Sequence, residues 1–298
     1  MKKPDVYLYG VIVATTSFML KEFLVPDEYS ELEGRFRLPG GETGTCASVL
    51  SSLGVSSAID GNHIGYETAP LIRKYYADKS VSLDCLYFDD SYEGLEDYVI
   101  ISGSDRTPMG TFGHFYAEGR RWNKPDEEMI KCCAAAAIDP FFPEDSRLAA
   151  EYCVKHGKPY VTIDCRHDSY IHRHAAVSVI SGECFANSYT GQSRENIIPL
   201  FMENGGLTII TNGSRPLLYG RNGVVKQFEP YKVKVASTLG AGDSFKAGAV
   251  YGLLKGMSDE QLVSFASACA AAAISEFPLP LNLPTLEKIE KIRGGAER

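Results

Sequence analysis

The chain has 298 residues, of which 44% are hydrophobic and 23% are charged, a composition typical of proteins that fold around an apolar core. That length suits one large α/β domain or two ordinary ones, and we expect a single large domain over residues 1–298. The formal net charge is −8, and no run of Lys or Arg exceeds two residues. The sequence therefore lacks a basic field for a nucleic-acid backbone, and we expect no nucleic-acid partner.

The first twenty residues contain an apolar run that has to be weighed as a targeting segment. The run from Val6 to Ala14 is too short to span a bilayer, and Pro4 and Asp5 interrupt the pattern of a secretory signal. We interpret it as a first buried strand, so we expect no membrane partner and a cytoplasmic location. The eight cysteines form no Cys-x-x-Cys pair, which favours reduced thiols in the core.

Short apolar runs alternate with segments of helical period, which predicts βα units and a mostly parallel sheet. The predicted strands are Val6 to Val13, Ala134 to Ile138, Tyr160 to Asp164, Val177 to Ile180 and Leu207 to Thr211. Cys46, Leu50 and Leu53 follow the i, i+4, i+7 spacing of a helix that ends at Gly54. The small apolar residues from Ser264 to Ile274 predict a second, buried helix close to the sheet.

Residues 85–121 follow a different pattern. Ile100, Phe112 and Phe115 stand among polar residues, Gly and Pro without a helical stripe, which predicts hairpin strands. An antiparallel insertion in a parallel α/β chain often covers the crevice at the carboxyl ends of the strands. We therefore expect a small β-sheet lid formed by residues 85–121 together with residues 14–39.

The strongest local motif is Ser-Thr-Leu-Gly-Ala-Gly-Asp-Ser-Phe at residues 237–245, just before a helical pattern. Gly240, Ala241 and Gly242 let a ligand approach the backbone, and free N–H groups at a helix start bind phosphate charge. Asp243 is a poor phosphate ligand, so it is better explained as a general base that accepts a proton from an attacking hydroxyl. A glycine-rich turn capped by Asp is the structural alternative.

Leu239 to Phe245 resembles the carboxy-terminal signature of the PfkB, or ribokinase-like, carbohydrate kinases, which usually reads Asp-Thr-x-Gly-Ala-Gly-Asp-x-Phe. Gly40 to Gly54 is similar to the family's amino-terminal signature, a Gly-Gly pair followed by a small-residue helix that lines the sugar site. Thr208 to Ser214 resembles the strand ending in Thr-x-Gly-x where nucleotide phosphates lie. Together the three segments extend over most of the chain.

The resemblance implies a three-layer α/β/α fold with a mostly parallel central sheet and a small β-sheet lid. It also implies that the γ-phosphoryl group of ATP is transferred, with Mg²⁺, to a hydroxyl of a small sugar-like substrate, and that the protein is a homodimer joined through the lid. The implied catalytic residues are Asp243, Gly240, Ala241 and Gly242, and the implied substrate contacts are Gly40, Gly41, Thr45, Thr15 and Arg106. The implied nucleotide contacts are Thr211, Gly213, Ser214 and Thr238, with Glu183 as a candidate on the metal side.

Several positions depart from the family pattern. Ser237 replaces an Asp that is common near a monovalent cation site, and Ser lacks the anionic oxygen of such a site. Val13, Thr15 and Thr45 replace polar residues that usually contact sugar hydroxyls, and Glu183 is out of register with the usual Asn-x-x-Glu segment. An ordinary ribose or hexose site is therefore not expected unchanged. The alternative is a ribokinase-fold regulator that binds nucleotide or metabolite with little turnover.

Two further groups of polar residues have simpler interpretations. His167, His172 and His174 form a histidine-rich stretch that we assign to a polar helix start rather than to a zinc site, which needs three or four converging ligands. Asp164 ends a predicted strand and is expected to face the crevice. Asp139 ends an alanine-rich run, where a turn role is sufficient to explain it.

Overall fold

The structure is a computed structural model that describes residues 3–103, 105–203 and 205–295. The strands assigned in these ranges are β1 Val6–Gly10, β2 Val13–Leu20, β3 Leu32–Gly40, β4 Ser57–Gly61, β5 Ile64–Gly65, β6 Val81–Ser82, β7 Phe88–Asp89, β8 Glu96–Ser102, β9 Asp105–Gly110, β10 Ala135–Ile138, β11 Tyr160–Ile163, β12 Val177–Ile180, β13 Leu207–Ile210, β14 Leu217–Arg221 and β15 Val224–Phe228. The helices are α1 Glu42–Ser52, α2 Ala69–Tyr76, α3 Phe112–Ala117, α4 Glu127–Cys132, α5 Pro143–Lys155, α6 Tyr170–His174, α7 Gly182–Ser188, α8 Arg194–Met202, α9 Ala241–Leu254, α10 Asp259–Ile274 and α11 Leu286–Gly294.

The central sheet has nine strands in the order β15-β14-β13-β12-β11-β10-β1-β4-β6. The strands from β6 to β13 in this order run parallel, and β14 and β15 are antiparallel additions at one edge. Along β1, Val6 and Leu8 pack into one hydrophobic layer and Tyr7 and Tyr9 into the other. Strands buried on both faces have continuous apolar sequences, which is why these runs were recognisable.

Helices cover both faces of this sheet. The layer on one face contains buried side chains of α1, α2, α9, α10 and α11. The layer on the other face contains buried side chains of α3, α4, α5 and α6, with α7 and α8 packed beside β12, β13 and β14. This three-layer α/β/α arrangement confirms the predicted fold class. No helix in the described ranges combines the length and the apolar character that crossing a bilayer requires.

A separate sheet of four strands, here called the small sheet, has the order β3-β2-β8-β9. β2 pairs antiparallel with β3 and parallel with β8, and β8 and β9 form the predicted hairpin. The predicted strand from Val6 to Val13 is wrong at its end, because β1 stops at Gly10 and β2 of the small sheet starts at Val13. The apolar run continues through both strands, so periodicity does not mark the boundary between the two sheets.

Two other expectations are corrected by packing. Phe112 and Phe115 lie on helix α3 rather than on a hairpin strand, and Phe115 contacts the rings of Trp122 and Phe142. These aromatic contacts favour a short helix where propensity alone favours a strand. All eight cysteines are free as expected, but Cys132 is exposed, since it ends a short helix whose buried residue is Ile130.

Candidate active site

A cavity of about 440 Å³, here called the first cavity, lies between the small sheet and the carboxyl ends of the central strands. The small sheet contributes Thr15, Ser17, Phe36, Leu38, Pro39, Gly40, Asp97, Val99, Arg106 and Pro108 to its wall. The opposite wall includes Gly41, Glu42 and Thr45 of the α1 region, Asp164 after β11, Ser181 and Glu183 of the α7 region, and residues 239–243 at the start of α9. Open α/β sheets bind ligands at this edge.

Helix α9 begins at Ala241 after Gly240, which has a φ of +80°. A Cβ on Gly240 would lie 2.5 Å from Leu279 Cδ2, so both the left-handed backbone and the packing require glycine. No side chain caps this helix, and the N–H groups of Gly242 and Asp243 have no acceptor within the described part of the chain. The Ala241 N–H is occupied, since it donates to Thr238 O at 3.3 Å.

The free N–H groups of Gly242 and Asp243 make the start of α9 a suitable place for phosphate charge. They point from the positive end of a fourteen-residue helix, where anions are stabilised. A Cβ on Gly242 would meet no atom within 4 Å, so the space in front of the backbone is open. Two of the predicted N–H donors are therefore free to bind an anion, while the N–H group of Ala241 is already used.

Asp243 lines the same cavity, and its carboxyl group has an altered proton affinity. Burial raises the pKa from an ordinary value of 3.8 to about 6, and the Lys246 ammonium and the Arg106 guanidinium act against this increase. The carboxylates of Asp139 and Asp164 add to the increase. A carboxyl group with a pKa near 6 is ionised at neutral pH and is a stronger base than an ordinary aspartate.

Glu42, in the first turn of α1, was missed by the sequence reasoning. Burial raises its pKa to about 8, and the neighbouring Asp243 carboxylate is the next largest cause. At neutral pH Glu42 thus keeps its proton while Asp243 is ionised, so one carboxyl can donate a hydrogen bond and the other can accept a proton. The sequence around Glu42 does not indicate this raised pKa, because Asp243 is distant in the sequence and comes close to Glu42 only in the folded protein.

The predicted substrate contacts Gly40, Gly41, Thr45, Thr15 and Arg106 all line the first cavity. Gly41 has a φ of +78°, and a Cβ there would lie 2.5 Å from Val11 O, so the glycine pair is needed to turn the chain into α1. Asp97 of β8, which the sequence reasoning did not select, also lines the cavity. Its Oδ1 is buried and has no hydrogen-bond partner within the described residues, which leaves an acceptor for a bound molecule.

The predicted nucleotide contacts Thr211, Gly213, Ser214 and Thr238 do not line the first cavity. Ser214 lines a second cavity of about 1170 Å³, whose wall also contains Tyr231, Lys232, Ser275, Lys288 and Lys291. Thr238 remains close to the α9 start, because its carbonyl accepts the Ala241 N–H. The structure thus groups the catalytic and substrate candidates in one cavity and Ser214 in another.

The metal-side candidate Glu183 lines the first cavity from the first turn of α7. Among the residues that the structure describes, no group of three or more His, Cys, Asp or Glu side chains is arranged to hold a metal ion. Both carboxylate oxygens of Asp164 already accept hydrogen bonds from Ser181, one from its N–H at 2.6 Å and one from its Oγ at 2.9 Å. Ser237 Oγ accepts from Leu239 N–H at 3.2 Å, which is a turn contact.

A sequence model of the pfkB family carbohydrate kinases matches residues 178–286. A similar curated protein is the 5-dehydro-2-deoxygluconokinase of Bacillus subtilis (strain 168), which is 33% identical over 107 residues. That alignment covers 36% of this chain and 33% of the relative. The chain thus spans about a third of the length of the curated relatives it matches.

Solved structures resemble the whole chain. A putative ribokinase from Agrobacterium tumefaciens superposes with a TM-score of 0.88 at 18% identity, covering 99% of both chains. A putative Ribokinase II from E. coli, in complex with ATP and Mg²⁺, superposes with a TM-score of 0.80 at 18% identity, covering 98% of this chain and 100% of that one. The fold is therefore that of the ribokinases. The matched segment contains the motif at residues 239–245, and the shared fold extends over the whole chain, so both comparisons support the resemblance seen in the sequence.

Proposed function

We propose that this protein is an ATP-dependent phosphotransferase that moves the γ-phosphoryl group of ATP to a hydroxyl of a small sugar-like acceptor, with Asp243 as general base. One observation supports this most directly. Asp243 and the free N–H groups of Gly242 and Asp243 face the same cavity as the acceptor-side residues of the small sheet. A proton acceptor and an anion site therefore lie within reach of one bound molecule.

The chemistry assigned to these groups is proton transfer and charge stabilisation. The ionised Asp243 takes the proton of the acceptor hydroxyl as the oxygen attacks phosphorus. The N–H groups of Gly242 and Asp243 hold the negative charge of the phosphoryl group, with Gly240 and Ala241 shaping the turn. Arg106 of β9 faces Asp243 closely enough to lower its pKa, so its guanidinium is placed to contact phosphate oxygens as well.

The acceptor is assigned to the side of the first cavity formed by the small sheet, which we propose acts as a lid. Gly40 ends β3 on this side with Thr15 against it, and Gly41 and Thr45 of the α1 region line the cavity next to them. The buried Asp97 Oδ1 is available to accept a hydrogen bond from an acceptor hydroxyl. Such a bond compensates for the polar contacts that Val13 and Thr45 do not provide.

ATP fits the residues present on the other side of the site. The open backbone at Gly242 suits phosphate. We propose that the nucleotide continues past Thr238 and the neighbouring Thr211 and Gly213 towards Ser214 at the second cavity. Mg²⁺ supplies charge neutralisation when it is bound with the phosphates, and it commonly needs only one or two carboxylates from the protein. Glu183 is the cavity-lining carboxylate proposed for this contact.

We also propose a cytoplasmic homodimer joined through the small sheet. The residues of the edge strand β9 are all exposed, and unpaired edges of this kind favour association with a second strand. The eight free cysteines are typical of a reducing compartment. A monomer in sedimentation analysis would argue against the dimer.

The test is ATP-to-ADP turnover with Mg²⁺ across a panel of sugars, sugar acids, polyols and nucleosides, comparing the wild type with Asp243→Asn. The exposed Asp90→Asn is a matched control, because the same change of charge is made outside the cavity. We expect one acceptor class to stimulate turnover that is lost in Asp243→Asn and kept in Asp90→Asn. ATP binding without acceptor-dependent turnover across the panel would instead favour the regulatory alternative.

A further inference from the structure

A buried ion pair lies one helical turn from Asp243. Lys246 Nζ is 2.6 Å from Asp139 Oδ1, and each side chain is only about 1% exposed. Lys246 follows Asp243 by three residues on α9, so the two side chains share one side of the helix. The turn role first assigned to Asp139 is therefore incomplete.

The pair also connects three segments on the central-sheet side of the first cavity, which are α9, α1 and the end of β10. The second oxygen of Asp139 accepts from Thr43 Oγ1 of α1 at 2.9 Å. At the end of β1, a Cβ on Gly10 would lie 2.5 Å from Asp139 Oδ2 and 2.6 Å from Thr43 Oγ1. No space is left around the carboxylate, so α9, α1 and the end of β10 hold it in one geometry.

A gain in folding stability does not explain why a charged pair is buried at this position. Removing two charges from water costs several kcal/mol per ion, and apolar residues of similar volume often replace such a pair without loss. An ammonium group buried near a catalytic carboxylate does, however, favour the ionised form of that carboxylate. The position of the pair beside Asp243 thus points to an electrostatic role.

We propose that Lys246 and Asp139 are positioning residues that set the ionisation of Asp243. The Lys246 ammonium favours the Asp243 carboxylate. Asp139 holds the ammonium in place and, with its own negative charge, limits this effect. The role in catalysis rests on the proposed kinase function, whereas the effect on Asp243 itself does not.

The charged groups around Asp243 shift its pKa in opposite directions. After burial, the largest influence on the Asp243 pKa is Lys246, which lowers it, and the next is Asp139, which raises it. Arg106 of β9 lowers the pKa, while Asp164 after β11 raises it. Glu42 of α1 also faces this carboxylate, and its own pKa is raised by Asp243 and lowered by Lys246.

Lys246 and Asp139 shift the Asp243 pKa in opposite directions, and this difference provides the test. In ligand-free protein labelled with [¹³Cγ]aspartate, the Asp243 resonance is identified by its absence in Asp243→Asn, and its pKa is measured by NMR titration. Lys246→Met is expected to raise that pKa by about one unit, and Asp139→Asn is expected to lower it. Lys246→Arg keeps the charge, so the pKa should stay within about half a unit of the wild type.

A double variant, Lys246→Met with Asp139→Asn, removes both charges and is expected to bring the pKa back towards the wild-type value. It also keeps the proposal testable if Lys246→Met alone does not fold. A purely structural pair would change the unfolding midpoint without opposite shifts in the Asp243 pKa. Shifts of the same sign in the two single variants, or none in either, would overturn the proposal.

A second readout separates this proposal from the proposed function. If an acceptor is phosphorylated, the acidic limb of the pH profile of kcat/KM should move with the NMR pKa, upward in Lys246→Met and downward in Asp139→Asn. If no acceptor is phosphorylated, the kinase assignment fails, while the NMR titration still decides whether the pair controls Asp243.

Discussion

Asp243→Asn is expected to make the protein more stable at neutral pH while it removes activity. The Asp243 pKa is about 6 in the folded protein against an ordinary value of 3.8. Between these two pH values the unfolded chain has lost a proton that the folded protein still holds. The free energy of unfolding therefore falls as pH rises through this window, and the loss is complete above about pH 6. A neutral Asn of the same shape does not incur this loss.

The size of the effect follows from the same two pKa values. Their difference corresponds to an upper limit of about 3 kcal/mol, at about 1.4 kcal/mol for each pH unit. Asp243 is part-exposed to a cavity that admits solvent, so screening reduces the effect, and we expect about 1 kcal/mol. In a chain of this size that corresponds to an increase of about 2 °C or more in Tm. The loss of the Asp243 charge also lowers the pKa of Glu42, which adds in the same direction.

The assay is thermal unfolding of the wild type, Asp243→Asn and the control Asp90→Asn between pH 4 and pH 8, with turnover measured on the same preparations. The Tm advantage of Asp243→Asn should be small at pH 4 and should grow up to about pH 7, while turnover falls by about 10²- to 10⁴-fold. If Asp243→Asn were less stable than the wild type at pH 7, or if its advantage did not depend on pH, the electrostatic reasoning would be refuted.

Three further predictions concern the walls of the first cavity and the metal. Gly240→Ala should lower the free energy of unfolding by about 1–3 kcal/mol in urea titrations, because Gly240 has a φ of +80° and Leu279 lies close to it. Gly256→Ala is the control: Gly256 also has a positive φ but has open space around it, so the free energy of unfolding should fall less. Asp97→Ala, which removes the carboxylate, should raise the KM for the acceptor by about tenfold and leave the KM for ATP unchanged in steady-state kinetics. An unchanged acceptor KM would exclude the proposed contact. Removal of Mg²⁺ with EDTA should abolish turnover but leave Tm unchanged without nucleotide, since the described residues form no metal cluster; a decrease in Tm would reveal a structural metal.

Local patterns in the sequence were enough to predict five strands of the central sheet and two of the helices, because buried parallel strands and small-residue helices have characteristic compositions. It also identified the turn at Gly240 to Gly242 with the adjacent Asp243, since a glycine-rich helix start is a local feature. The boundary between β1 and β2 was not readable, because the apolar run has the same period in both sheets. Helix α3 was missed because aromatic contacts with distant residues decide its conformation.

Most of the charges that act on Asp243 come from distant parts of the sequence. Asp139 and Lys246 are 107 residues apart and meet because β10 and α9 end and begin at the same edge of the sheet. Glu42 reaches the same place from α1, and the buried oxygen of Asp97 comes from the small sheet. Desolvation and Coulomb interactions depend on distance and burial in space, which sequence separation does not encode. The proposed base could therefore be named from its motif, but the charges that shift its pKa belong to residues that only folding brings together.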